Sequence, residues 1–247
     1  MVEKFDIVIT PLGLERTIHV YLPEDYYDSD EQYPVMYMFD GHNLFYDYDA
    51  TYGKSWGLKE FLDTYDKKLI IVGIECNHEG QKRLSEYCPY QIESKYFGHL
   101  NGQGKILMDW VVNELKILVD QKYRTYPFRE CTGIAGSSMG GLMAFYYNKY
   151  FSKAACISPS ISMCMEELKN EYTQAKIMED TRVYFSFGTD EVKGKNGIQW
   201  MLNNILYFND RLIESNASSY INVVEKGQHN EASWQLENQI YLDYLWK

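Results

Sequence analysis

The run Gly136-Ser137-Ser138-Met139-Gly140 sets a serine between two glycines in the pattern G-x-S-x-G, with Gly141 following. Glycine and serine are common residues, so the pattern alone is weak. Its flanks give it meaning. An apolar, strand-like run, Cys131–Ala135, precedes it, and a helix-like run, Leu142-Met143-Ala144-Phe145-Tyr146, follows. A sharp strand-to-helix turn of this kind, a nucleophile elbow, exposes a serine hydroxyl on a strained backbone, and only small neighbours fit around it. The helix N-terminus beyond it favours negative charge developing on a reacting carbonyl. The chemistry implied is nucleophilic acyl transfer through Ser138.

A hydroxyl is a weak nucleophile at neutral pH and needs a base. The five histidines are His19, His42, His78, His99 and His229. With a serine on such an elbow, the partners run serine, acid, histidine along the chain. Four of the five precede Ser138, which leaves His229. It follows a strand-like run, Tyr220–Val224, and the turn Glu225-Lys226-Gly227-Gln228, just ahead of the last helical segment. The acid is expected after the strand between these two sites. Val183–Phe187 leads into Gly188-Thr189-Asp190-Glu191, so Asp190 and Glu191 both qualify and spacing does not choose. Either carboxylate would hold the imidazole tautomer and stabilise its cation. Two main-chain N–H groups are needed for the developing oxyanion. Met139 supplies one. The loop Asp40-Gly41-His42-Asn43 supplies the other, because a glycine there lets the backbone approach a substrate. The His42 amide is the assigned donor and Asn43 the competing one. The side chains of Asp40 and His42 are read as bracing the loop.

The elements that must carry these residues alternate along the chain. Phe5–Ile9 and Thr17–Leu22 read as antiparallel strands joined near Pro11-Leu12-Gly13. Val35–Phe39 and Leu69–Ile74 are uninterrupted apolar runs, which suit a sheet covered on both faces. Gly57–Tyr65 and Lys105–Gln121 read as helices, the second with Ile106, Trp110, Val111, Leu115, Leu118 and Val119 at helical spacing. Strand Cys131–Ala135, helix Met139–Asn148, strand Ala154–Ile157, helix Glu166–Met178, strand Val183–Phe187, helix Gly197–Ser215, strand Tyr220–Val224 and helix Glu231–Leu245 complete the chain. The alternation predicts an α/β fold: a mostly parallel, doubly wound sheet of about eight strands with helices on both faces. With no repeat, low-complexity tract or linker, residues 1–247 read as one domain. The stretch 76–104 is too long and irregular for a simple connection, and reads as a partial lid or active-site loop.

A hydrophobic share of 45% supports one sizeable core, and 23 tyrosines suggest many rings half-buried at rims and surfaces. An exposed aromatic surface of that kind would suit a homo-oligomer. The net charge of −11, with no compensating Lys/Arg cluster, argues against nucleic acid and anionic membranes as partners. Five cysteines without a C-x-x-C pair read as reduced thiols. No signal-peptide pattern opens the chain, and no run approaches the roughly 18 apolar residues of a membrane span. The expectation is a cytoplasmic protein acting on a small molecule.

Three blocks carry a family resemblance. Met38-Phe39-Asp40-Gly41-His42-Asn43-Leu44-Phe45, the run from Gly133 through Gly136-Ser137-Ser138-Met139-Gly140-Gly141 to Leu142, and Gly227-Gln228-His229-Asn230-Glu231-Ala232-Ser233-Trp234 resemble the putative esterase family. That group includes esterase D, feruloyl and acetyl xylan esterases, siderophore esterases and mycolyltransferases. The similarity runs from about Tyr21 to Leu245. It implies an α/β-hydrolase fold, hydrolysis of carboxylic esters, and neither cofactor nor metal. Relatives place the acid three residues after the strand-ending glycine, which implies Glu191. They take an oxyanion amide from the residue after the Asp-Gly pair, which matches His42, although many carry Gln there. Relatives that attack plant polysaccharides often carry a signal peptide or a carbohydrate-binding module. Neither is evident, so the implied substrates are small acyl esters such as acetylated or feruloylated sugar fragments. The rival readings are a siderophore esterase, with Lys82 and Arg83 offering positive charge, an acyltransferase, and a non-catalytic binding protein on a hydrolase scaffold.

Overall fold

Side chains along a strand alternate between faces, and in the central strands of this chain both faces are apolar. The strands are β1 (Val2–Ile9), β2 (Leu14–Tyr21), β3 (Val35–Phe39), β4 (Ile70–Ile74), β5 (Ile92–Ser94), β6 (Gly98–Leu100), β7 (Thr132–Ser137), β8 (Lys153–Ile157), β9 (Arg182–Gly188) and β10 (Ser218–Val224). The structure, a computed structural model, describes residues 1–94, 97–146 and 149–246. Every residue of β3 and β4 is buried. Val35, Tyr37, Phe39, Ile70, Val72 and Ile74 join one apolar cluster. Met36, Met38 and Ile71, between them in sequence, join a second. Only a sheet sandwiched by helices buries both sets.

The helices are α1 (Leu58–Thr64), α2 (Lys82–Glu86), α3 (Gly104–Trp110), α4 (Lys116–Lys122), α5 (Met139–Tyr146), α6 (Met165–Gln174), α7 (Gly194–Glu214), α8 (Glu231–Trp234) and α9 (Asn238–Leu245). A π-helical turn, Val111–Leu115, joins α3 to α4, so the single helix expected over 105–121 is continuous but widened at its centre. Leu107, Leu115, Leu142, Phe145, Phe208 and Leu212 cover the first face. Leu58, Leu62, Trp234, Tyr241, Leu242 and Leu245 cover the second. Among the described residues no helix is long and apolar enough to cross a membrane.

The eight-stranded sheet has the order β1-β2-β4-β3-β7-β8-β9-β10. The first two strands are antiparallel to their neighbours, and those from β4 through β3 to β10 run parallel. This is the α/β-hydrolase architecture expected. Strand order reverses at β3, which lies between β4 and β7. Loops leaving the C-terminal ends of strands at such a switch point diverge and open a crevice, where α/β proteins bind ligands. The Asp40–Asn43 loop leaves β3 and Ser138 leaves β7, so the topology sets these two stretches side by side.

Several boundaries differ from expectation. Helix α6 ends at Gln174 rather than Met178, because the chain must reverse there to begin β9 at Arg182. Helix α7 begins three residues earlier than its periodicity suggests. The last two residues of the expected helix 139–148, Tyr147 and Asn148, lie outside the described residues, as do Lys95 and Tyr96 of the 76–104 stretch. That stretch is not wholly irregular: it holds α2 and the β5–β6 pair. Tyrosine is also less peripheral than its abundance suggests, since Tyr33, Tyr37, Tyr87, Tyr184 and Tyr241 are fully buried.

Candidate active site

Ser138 adopts φ 57°, left-handed for a residue with a side chain, at the junction of β7 and α5. Such backbone costs of order 1–3 kcal/mol and persists where the surroundings enforce it. They do so here. The Ser138 amide donates to the Ile157 carbonyl at 3.0 Å, and its own carbonyl accepts from Leu142 and Ser160 amides, each at 3.0 Å. The turn closes so tightly that a Cβ on Gly136 would lie 2.6 Å from the Gly140 carbonyl carbon. The half-buried hydroxyl hydrogen-bonds to Ser160 Oγ at 3.3 Å.

The loops after β9 and β10 are joined main chain to main chain. A Cβ at Gly188 would lie 2.1 Å from the Gly227 carbonyl oxygen. The Asp190 amide donates to that carbonyl at 3.0 Å, and the Lys226 amide donates to Thr189 Oγ1 at 2.8 Å. This junction brings the two segments close enough for Glu191 Oε2 to sit 2.8 Å from His229 Nδ1. Glu191 Oε1 accepts from Ser158 Oγ at 2.6 Å and from the Gly188 amide at 2.7 Å. The Glu191 side chain is 4% exposed, whereas that of His229 is 44% exposed. Asp190 is exposed, and its amide makes a main-chain bond in the turn. The Trp234 ring packs edge-on against the His229 ring, with centroids 5.1 Å apart, and donates through Nε1 to Ser158 Oγ at 3.0 Å.

Two consequences follow for mutants of this junction. Gly188→Ala forces the two loops apart, which costs about 3 kcal/mol of stability. If the Glu191–His229 pair serves catalysis, its displacement by about 1 Å is expected to lower kcat about 10²-fold. A thermal melt and steady-state kinetics read both effects. Ser158→Ala removes a charge-assisted bond to Glu191, worth about 1.5–3 kcal/mol. On the same condition it is expected to lower kcat about ten-fold, the low end of that range, with KM unchanged.

The loop after β3 begins at Asp40, also left-handed at φ 58°. Its carboxylate takes both prongs of the Arg83 guanidinium at 2.7 Å, and its amide donates to Tyr87 Oη at 3.2 Å. Burial pushes the Asp40 carboxyl up, but the Arg83 charge outweighs it and holds the group below its ordinary range. The His42 ring is buried and bonds Thr51 Oγ1 through Nε2 at 2.9 Å; burial lowers its pKa. The Asn43 amide donates back to the Asp40 carbonyl at 2.8 Å, so it is spent inside the turn. Asn43 Nδ2 reaches Glu231 Oε1 at 3.2 Å, tying this loop to the segment that carries His229. Burial raises the Glu231 pKa.

Ser138, His229, His42 and Asn43 line one cavity of about 290 Å³, together with Asp40, Cys76, Arg83, Glu231 and Trp234. The sequence reading thus brings its serine, its histidine and its loop together, and Glu191 stands behind the histidine. Among the described residues the Ser138 hydroxyl bonds Ser160 rather than His229. The positive charge expected from Lys82 and Arg83 is not free. Arg83 is spent on Asp40, and exposed Lys82 pairs with Glu79. Sequence reasoning missed Ser158, Ser160 and the Asn43–Glu231 link. The Ser158-Pro159-Ser160 turn after β8 was the one trace of the two serines.

Fold and cavity together define an α/β-hydrolase-type enzyme. The chain belongs to the putative esterase family, whose model matches residues 9–237, and it is an enzyme of the ester-hydrolysing class. It is similar to the Bacillus subtilis protein YbbA, 25% identical over 191 residues that cover 74% of this chain and 72% of that protein. In fold it is similar to an IroE-like serine hydrolase from Shewanella oneidensis, with TM-score 0.77, 20% identity, and coverage of 99% of this chain and 80% of that one. It is also similar to the enterobactin esterase of Shigella flexneri, with TM-score 0.75, 17% identity, and coverage of 100% and 58%.

Proposed function

We propose that the protein hydrolyses small carboxylic esters through an acyl-enzyme on Ser138. Once rotated off Ser160, the Ser138 hydroxyl attacks the ester carbonyl while His229 Nε2 takes its proton. Glu191, bonded to Nδ1, keeps that nitrogen protonated and stabilises the imidazolium. The His42 and Met139 amides stabilise the oxyanion. The Asn43 amide, engaged with Asp40, is not available for that role. His229 then protonates the departing alcohol, and a water deprotonated by the same imidazole releases the acid. One observation carries the reading: a serine held left-handed at a strand end shares its cavity with a histidine backed by a buried carboxylate.

The proposed substrates are acetylated or feruloylated sugar fragments. A small cavity edged by Asn43, Thr51, Tyr52 and Asn230 suits a polar alcohol more than a long acyl chain. Hydrolysis of a siderophore triester is the second reading, favoured by the Shigella flexneri neighbour crystallised with enterobactin. Against it, the one arginine among the described residues of the cavity already neutralises Asp40, which does not favour a highly anionic ligand. Acetyl, butyryl and feruloyl esters assayed beside a siderophore triester separate the two. The expected order has kcat/KM for an acetylated or feruloylated sugar at least ten-fold above that for the triester. The reverse order would overturn the sugar reading. Product analysis in the presence of added alcohols distinguishes hydrolysis from acyl transfer.

A further inference from the structure

We infer that His42, Cys76 and His78 form a site for a zinc-like, thiophilic divalent cation at the edge of this cavity. One ring nitrogen of each histidine and the Cys76 Sγ lie within 4.8 Å of one another. The loop after β3 supplies His42, and the loop after β4 supplies Cys76 and His78. Because β3 and β4 are parallel neighbours, both loops leave the same end of the sheet.

Hydrogen bonding fixes the proton on one imidazole and leaves a ring nitrogen of the other unspent. His78 Nε2 lies 3.2 Å from Glu75 Oε2. A carboxylate only accepts, so Nε2 carries the proton and Nδ1 keeps its lone pair. A histidine oriented by a carboxylate behind it is the usual outer arrangement of a metal-bound imidazole. His42 Nε2 is engaged with Thr51 Oγ1, while its Nδ1 is buried with no hydrogen-bond partner among the described residues. The whole His42 residue is 5% exposed, so solvent does not satisfy that nitrogen. The two rings meet edge to face, with centroids 4.6 Å apart. Cys76 is buried beside them at 4% exposure.

Two imidazoles and one thiolate match zinc and cobalt(II), and leave a fourth position for water or a cavity ligand. Binding forms one metal–sulfur and two metal–nitrogen bonds and releases the thiol proton to solvent. Bonds of about 2.0–2.3 Å place tetrahedral ligand atoms about 3.3–3.8 Å apart, so the side chains must draw in by about 1 Å. His78, with 53% of its side chain exposed, has room to make that move.

Cobalt(II) titration of the reduced protein, followed by absorption, tests the site without reference to ester hydrolysis. The expected result is one cobalt per chain, with a thiolate-to-metal charge-transfer band and tetrahedral d–d bands that stoichiometric zinc abolishes. Cys76→Ser removes the charge-transfer band. His78→Ala and Glu75→Gln each weaken zinc binding at least ten-fold. Cys131→Ser, at the one cysteine that is not fully buried, leaves the spectrum unchanged. Absence of the band at millimolar cobalt overturns the site. So does a band that survives Cys76→Ser or disappears with Cys131→Ser. If Cys76→Ser does not fold by circular dichroism, His78→Ala, at an exposed position, decides by itself: unchanged zinc affinity overturns the site.

Discussion

Ser138→Ala lowers kcat for a chromogenic acetate ester by about 10⁶-fold and abolishes labelling by a fluorophosphonate probe, while the protein remains folded. The fold survives because alanine meets the same backbone demand. Both residues carry a Cβ, and the left-handed turn is enforced by main-chain bonds from Ile157, Leu142 and Ser160 that the substitution leaves in place. What is lost structurally is the 3.3 Å bond to Ser160, worth about 1 kcal/mol at a half-buried site. The chemical loss is far larger. Without a nucleophile at the end of β7 no acyl-enzyme forms, and only oxyanion stabilisation and binding remain, worth about 10³–10⁴ over water. Ser160→Ala is the informative companion, because it removes the resting partner and leaves the nucleophile. It changes kcat by less than about ten-fold, the scale of one neutral hydrogen bond. Full labelling of the Ser138→Ala protein, or retained turnover, would identify a different nucleophile and sink the proposal.

How much of this was legible in the sequence depended on how far apart the contacting residues lie. The elbow is local: strand, small residues and helix occur within fifteen positions, and the φ of 57° at Ser138 is what that run demands. That His229 shares a cavity with Ser138 was legible through chain order, a topological fact rather than a contact. The architecture followed from uninterrupted apolar runs such as Val35–Phe39, which are buried on both faces as such runs require. Asp190 and Glu191 could not be separated by spacing, because a turn decides which adjacent side chain points inward. That turn is set by the Gly188–Gly227 contact, across 39 positions, which no local pattern encodes. The Arg83–Asp40 pair and the Asn43–Glu231 link are long-range contacts of the same kind. Charge counting left Arg83 available to a substrate, whereas its guanidinium is bidentate on Asp40. The ends of α6 and α7 were misjudged because chain reversal, rather than periodicity, sets them.

The neighbouring carboxylates give the sharpest internal control. Glu191→Gln lowers kcat about 10⁴-fold with little change in KM, whereas Asp190→Asn stays within about two-fold of wild type. The difference follows from donors and acceptors around Glu191. Its Oε1 accepts the Gly188 amide, a fixed donor that cannot accept, and the Ser158 hydroxyl. In glutamine the amide oxygen must therefore turn towards Gly188, which turns the NH₂ group towards His229 Nδ1. Two N–H groups cannot face each other across 2.8 Å, so the imidazole moves its proton to Nε2. In the proposed mechanism Nε2 accepts the Ser138 proton, and in this tautomer it has no lone pair to do so. Stability changes little, because glutamine fills the same volume and keeps the Gly188 bond. Asp190 has no such role to lose: its side chain is exposed, and its amide bond to the Gly227 carbonyl survives conversion to asparagine. Steady-state kinetics on the two variants read the outcome directly. A large loss in Asp190→Asn with activity retained in Glu191→Gln would mean that the resting turn rearranges before catalysis, and that the 2.8 Å pair is not the one that works.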